Sequence, residues 1–167
     1  MIAEPLVRAL AQRGLGLAIA ESLTGGALSS AVVEVPGASA VYRGAVVSYA
    51  TDLKHRLLGV DDALLAEHGP VHPEVALQMA RGAASRLGSE GARTVGVATT
   101  GVAGPEPQGV AAVGTVFVAV VLGHVEQVHA LHLSGDRAAI RAASVTAALD
   151  AAMELVSSLD LGIPSLS

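Results

Sequence analysis

The 167-residue sequence contains no cysteine and no tryptophan. Without cysteine there is no disulfide framework, no thiolate nucleophile and no zinc–thiolate site. Aromatic residues make up only 2 % of the chain, namely Tyr42, Tyr49 and Phe117. Three rings make a poor platform for stacking bases, and the core has to be built from Val, Leu, Ile and Ala. Lysine is almost missing too: of ten basic side chains, Lys54 is the only lysine. The basic residues are scattered and the net charge is −5, which argues against a nucleic-acid surface. No apolar stretch reaches the ~18 uninterrupted residues of a membrane span, and no signal pattern opens the chain. These absences lead to the expectation of a soluble cytoplasmic protein without nucleic-acid or membrane partners.

What is present is a chain that is 51 % hydrophobic, punctuated by glycine. Apolar residues at helical spacing from residue 3 to 13 predict a first helix that stops at Gly14. "LGLAIAE" (15–21) reads as a short buried strand, and "GGALSSAVVEV" (25–35) as a helix ending before Pro36. "GAVVSYA" (44–50) is expected to be a second strand, and "TDLKHRLLG" (51–59) a short helix capped by Thr51 or Asp52 and closed by Gly59. Two amphipathic helices follow, at 62–69 and 72–88, the second with Pro73 near its start. "RTVGVATTG" (93–101) reads as a third buried strand, and two alternating segments around Gly123 and His124 as an antiparallel hairpin. A long helix from Asp136 to about Ser158 precedes a tail, "LGIPSLS", expected to fray. Helices between apolar strands imply an α/β fold: a three-layer α/β/α sandwich with a mixed central sheet, one domain over residues 1–167.

In open α/β sheets ligands gather where strands end. Three predicted strand exits carry polar residues: Glu21-Ser22-Leu23-Thr24-Gly25-Gly26, Ser48 to Lys54, and Thr99 to Pro105. None has the spacing of a phosphate loop or dinucleotide fingerprint, and the G-x-S-x-G nucleophile elbow is absent. The histidines lack the H-E-x-x-H arrangement. His124, His129 and His132 lie along the hairpin, and His55, His68 and His72 at helix ends or loops, so structural or solvent-facing roles are expected and no metal site. The lone lysine stands out, because a buried lysine can give up its proton and an arginine effectively cannot.

The segments "AESLTGG" (20–26), "PGASAVYRGAVVSYA" (36–50), "LKHRLLGV" (53–60), "TTGVAGP" (99–105), "VGTVFVAV" (113–120) and "GDRAAIRAAS" (135–144) together resemble the C-terminal domain of the CinA competence/damage-inducible family. The similarity runs nearly end to end in a consistent order. The family includes nicotinamide-nucleotide amidases, and in some relatives the domain follows a molybdopterin-binding-like domain; here it is expected to stand alone. The resemblance implies hydrolysis of nicotinamide mononucleotide to nicotinate mononucleotide and ammonia, with no cofactor. It implies Ser22 as nucleophile and Lys54 as its activator, and Ser39 and Tyr49 as polar positions in the same pocket. Thr100, beside Gly101, falls on a hydroxyl position of the third loop. Arg137 matches a basic residue facing the substrate, with Arg141 one turn on, and Gly37 precedes Ser39. One loop departs: where the family has two glycines and Lys-Pro before "VGTV", this chain has "EPQGVAA" (106–112).

The expected chemistry is attack by Ser22 on the carboxamide, with neutral Lys54 taking the proton. Desolvation, with Arg137 or another cation nearby, would lower the lysine pKa. Backbone amides around Thr24, Gly25 and Gly26 are candidates for the oxyanion. Either Ser22 or Ser39 could be acylated, and the substrate could be another pyridine amide. The alternative is a pyridine-nucleotide-binding or accessory module of competence or DNA-damage response without catalysis. A mean hydropathy of +0.56 and family resemblance both point to a homo-oligomer, a dimer or a multiple of one.

Overall fold

A computed structural model describes residues 1–91 and 93–159. Helix α1 (Glu4–Gln12) leads into β1 (Gly16–Glu21), every residue of which is buried. After α2 (Ala27–Val33), a single 3₁₀ turn (Ala38–Ala40) feeds β2 (Tyr42–Val47). Three helices follow, α3 (Thr51–Leu58), α4 (Asp62–His68) and α5 (Pro73–Leu87). Strands β3 (Thr94–Gly101), β4 (Thr115–Leu122) and β5 (Val125–His132) precede the long α6 (Arg137–Ser158).

The five strands lie in the order β2-β1-β3-β4-β5. β1, β2 and β3 run parallel, while β4 and β5 add an antiparallel hairpin, so the sheet is mixed. From β1 the chain steps to one side to reach β2, then crosses back over β1 to reach β3. Right-handed crossovers put the two connections on opposite faces of the sheet, and the packing follows. Leu17, Ile19, Val95, Val97, Val118 and Val120 share one core with residues of α1, α2 and α6. Ala18, Ala20, Ala98 and Ala119 share the other with Leu58, Leu65 and the apolar residues of α5. The α/β/α sandwich expected from the sequence is the architecture found.

The two faces differ in side-chain size, and that sets how closely α5 sits. A Cβ on Gly96 of β3 would fall 2.2 Å from the Ala80 carbonyl oxygen of α5. One on Gly82 would fall 2.1 Å from the carbonyl oxygen of Leu58, the last residue of α3. The alanine–glycine face thus lets α5 and α3 approach backbone to backbone.

Some boundaries differ from expectation. β2 covers Tyr42–Val47 rather than 44–50, because Ser48 and Tyr49 turn their carbonyls away from the ladder and toward Lys54. α2 begins at Ala27, since Gly25 and Gly26 hold φ of +60° and +98° in the preceding turn. Neither Thr51 nor Asp52 caps α3: the capping position is Ala50, no side chain bonds there, and Asp52 pairs with Arg56 at 3.5 Å. Asp136 does cap α6, accepting from the Ala139 N–H at 2.8 Å. The predicted tail 161–167 lies outside the described residues. Among the described residues no helix is long and apolar enough to cross a membrane.

Candidate active site

The site lies at the carboxyl ends of β1, β2 and β3. β1 is the strand from which the chain departs to one side and past which it returns on the other, the arrangement that opens a crevice at strand ends. Backbone pairing runs one residue past the ends of β1 and β2. The Ser22 N–H donates to the Thr99 carbonyl at 3.0 Å, and the Ser48 N–H to the Glu21 carbonyl at 2.9 Å. Ser22 is therefore tied to β3 at the sheet's end, while the exit of β2 is tied to its neighbour Glu21, and Ser22 is 8 % exposed.

Lys54, on the first turn of α3, reaches into the same spot. It is 0 % exposed, and its Nζ lies 3.1 Å from Ser22 Oγ. The ammonium also donates to the Ser48 carbonyl at 2.6 Å and the Tyr49 carbonyl at 3.4 Å. Burial pushes its pKa down from 10.5 to about 8. The shift has desolvation as its cause and not a neighbouring cation, which corrects the part expected of Arg137. Among the described residues no carboxylate pairs with Lys54: Asp52 is taken by Arg56, and Glu21 by backbone N–H groups.

A cavity of about 300 Å³ opens over the pair. Ser22, Leu23 and Lys54 form its base, Thr100 to Gly104 one wall, Pro70 and Val71 another, with Tyr49 and Arg137 at the mouth. The Thr100 hydroxyl donates to the Pro70 carbonyl at 2.7 Å, tying the α4–α5 connection to the third strand exit. Arg137 donates to the Gly104 carbonyl at 2.7 Å and to the Tyr49 hydroxyl at 3.1 Å. The structure thus gathers Ser22, Tyr49, Lys54, Thr100, Gly101 and Arg137 around one cavity.

Other expected site residues lie elsewhere. Thr24 is fully buried with its hydroxyl 2.8 Å from that of Thr99, behind the cavity rather than in its lining. Gly25 and Gly26 have their amides already committed, to the Ser22 carbonyl at 3.1 Å and the Glu21 carboxylate at 2.8 Å. They are not free for an oxyanion. Arg141 grips the Leu23 and Thr24 carbonyls at 2.9 and 2.8 Å and does not line the cavity. Gly37 and Ser39 precede β2, which begins beside Leu17 and ends beside Glu21. The whole length of a strand separates them from Ser22, so within one chain Ser39 is not in the pocket.

Sequence reasoning missed the cavity's Pro70 and Val71, and Glu106 and Gln108 on the divergent loop. It also missed the work of Glu21. Fully buried, its carboxylate accepts from the N–H groups of Gly26, Leu28 and Ser29 at 2.8, 3.2 and 2.9 Å. The signal was an acid ending an apolar strand just before a helix start, since a buried carboxylate has to find donors. The histidines stay outside the site. His55 contacts the Val60 carbonyl at 2.7 Å, and His68 stacks on His72 with ring centroids 4.6 Å apart. Among the described residues no group of acids and histidines is placed to hold a metal ion.

Fold and site together define an α/β domain with a desolvated serine–lysine pair at the parallel strand ends. The chain belongs to the CinA C-terminal domain family, whose model matches residues 1–156. It is 46 % identical over 150 residues to a CinA-like protein of Frankia casuarinae, covering 90 % of this chain and 34 % of that protein. It is 39 % identical over 140 residues to a putative competence-damage inducible protein of Bacillus velezensis, covering 84 % and 33 %. The chain thus spans about a third of the length of these curated relatives. The crystal structure of a CinA superfamily protein from Klebsiella pneumoniae superposes with a TM-score of 0.88 at 29 % identity, covering 94 % of this chain and 96 % of that one. The competence/damage-inducible protein CihA of Agrobacterium tumefaciens gives 0.84 at 33 % identity, with coverages of 95 % and 93 %.

Proposed function

We propose that the domain is an amidohydrolase that releases ammonia from the carboxamide of a pyridine nucleotide, nicotinamide mononucleotide first, leaving nicotinate mononucleotide. One observation carries the reading: a fully buried lysine with no counter-ion among the described residues, its Nζ 3.1 Å from a serine hydroxyl at the base of a cavity. A serine hydroxyl needs such a base to become a nucleophile, and a lysine serves only when neutral. With its pKa brought down to about 8, roughly a tenth of Lys54 is neutral at pH 7.

Ser22 Oγ attacks the carboxamide carbon while its proton passes to Lys54 Nζ. The proton is then delivered to the departing nitrogen, the C–N bond breaks, and ammonia leaves an ester on Ser22. Water attacks that ester, Lys54 takes its proton and returns it to Ser22 Oγ, and the free carboxylic acid is released. Ser22, not Ser39, is the residue this lysine can reach. The oxyanion donor that supports the reading best is the N–H of Leu23, next to the nucleophile and in the cavity lining. At the mouth, Arg137 offers an anion partner for a phosphate and Tyr49 an aromatic face for the ring.

The test is ammonia release from nicotinamide mononucleotide by the purified protein, Ser22→Ala and Lys54→Arg. Loss of base and nucleophile is expected to lower turnover by on the order of 10²–10⁴-fold, the variants remaining folded by circular dichroism. Undiminished turnover in either variant sinks the pair. Calorimetric binding of the nucleotide to wild type without ammonia release would favour a binding module instead.

A further inference from the structure

The turn that carries Ser22 is held from two sides by oppositely charged groups that do not line the cavity. On one side the Glu21 carboxylate, wholly buried, collects the N–H groups of Gly26, Leu28 and Ser29. On the other the Arg141 guanidinium reaches from α6 to the carbonyls of Leu23 and Thr24. Between them the Thr24 hydroxyl is pinned to that of Thr99. Among the described residues, the two charged groups bond backbone of the turn or of the helix start. Two adjacent glycines at positive φ would otherwise leave this turn with many accessible conformations.

We infer that Glu21 and Arg141 are positioning residues for Ser22, an opposed grip that fixes the nucleophile's place relative to Lys54. The inference rests on Ser22 acting as nucleophile, as proposed above. A carboxylate that accepts three N–H bonds ties the strand end to the start of α2 and sets where β1 stops. A guanidinium holding two successive carbonyls does something further. In a planar trans peptide C=O and N–H point opposite ways, so drawing the Leu23 carbonyl toward α6 turns the Thr24 N–H to the other side. The grip thereby sets the direction of the turn's amides as well as of Ser22 Oγ. Arginine is required for this because its fork presents several donors in fixed geometry, whereas lysine is a single point charge.

The grip can be tested without knowing the natural substrate, by the rate at which a fluorophosphonate labels Ser22. In that step the Ser22 Oγ–P bond forms, the P–F bond breaks, fluoride leaves and the serine proton passes to Lys54. Glu21→Gln and Arg141→Lys are compared with wild type at a temperature where circular dichroism shows each fully folded. Displacing a reacting atom by about 1 Å costs up to ~10²-fold in rate, and a loss of that order is expected in both variants. The pH midpoint of labelling should stay where wild type has it, because Lys54 keeps its burial. Millimolar guanidinium ion should restore labelling to Arg141→Ala, which a general loss of stability would not allow. If wild type is labelled and the variants react at its rate, or lose rate only in step with folded fraction, the grip is overturned and the serine nucleophile survives. If wild type is not labelled at Ser22, both readings fall together.

Discussion

Lys54 is taken wholly out of water with no counter-ion among the described residues, and that cost should show in stability as well as in reactivity. In the unfolded chain it titrates near its ordinary 10.5, in the folded domain near 8. Between these values the unfolded state holds one more proton than the folded state, so stability rises with pH across that window. The burden is fully present below pH 8 and gone above 10.5, and amounts to on the order of 3 kcal/mol. Lys54→Met removes it. Urea unfolding of wild type and Lys54→Met at pH 7.5 and pH 10 should therefore show wild type gaining on the variant by a few kcal/mol. Parallel behaviour of the two proteins would mean that the lysine is solvated in the folded state and titrates there near its ordinary 10.5. On the proposed mechanism, activity should climb as Lys54 loses its proton, level off above pH 8, and fall by on the order of 10²–10⁴-fold in Lys54→Arg at every pH. An arginine variant keeping most of the wild-type rate would leave Lys54 as a mere cation.

Lys54 is brought to Ser22 by the seating of α3, which depends on two glycines. Gly82 faces the Leu58 backbone and Gly96 the Ala80 backbone at distances no Cβ can occupy. Gly82→Ala pushes α5 away from the end of α3. Overpacking of this kind costs about 1–3 kcal/mol and sometimes more, and here the obstacle is backbone rather than a side chain that can rotate. Denaturant unfolding of Gly82→Ala and Gly96→Ala should show losses of about 3 kcal/mol or more, with the Gly82 variant also losing turnover in its folded fraction. A loss below about 1 kcal/mol at Gly82 would mean that the α3–α5 seam is slack. At this scale much was legible in the sequence. β1 and β3 were readable because both faces are covered and every position but Glu21 is apolar or small, and the β4–β5 hairpin because its edge strand alternates. The end of β2 and the start of α2 were not readable. Ser48 leaves the sheet because Lys54 takes its carbonyl, and Gly26 stays out of the helix because Glu21 takes its amide. Both are tertiary bonds that no local pattern announces.

The candidate site was legible in outline for a reason that holds for the whole molecule: parallel strands deliver their carboxyl-end loops to one edge, so polar residues just after β1, β2 and β3 had to meet. Gly37 and Ser39 failed that logic because they precede β2, and a strand's length carries them to the far edge of the same molecule. The expected self-association also belongs to the scale of the whole molecule. The two outer strands of the sheet are not equally protected against pairing with another chain. On β5, Glu126 is held bidentately by Arg81 at 2.7 and 2.6 Å, placing a fixed charge pair along that edge. β2 carries only Arg43 as a charge and runs out into Val47, 44 % exposed, followed by Tyr49 at 60 %, while Leu57 of α3 stands 43 % exposed. We propose that two copies associate along the β2 side, since an isologous two-fold contact is the commonest way to cover such a surface. Light scattering after gel filtration should give twice the 16.6 kDa of one chain, and Val47→Asp, which sets a carboxylate on that edge, should shift the mass toward one chain without unfolding it. A wild-type mass of one chain at tens of micromolar overturns the dimer. A dimeric Val47→Asp protein keeps the dimer and moves its contact away from β2.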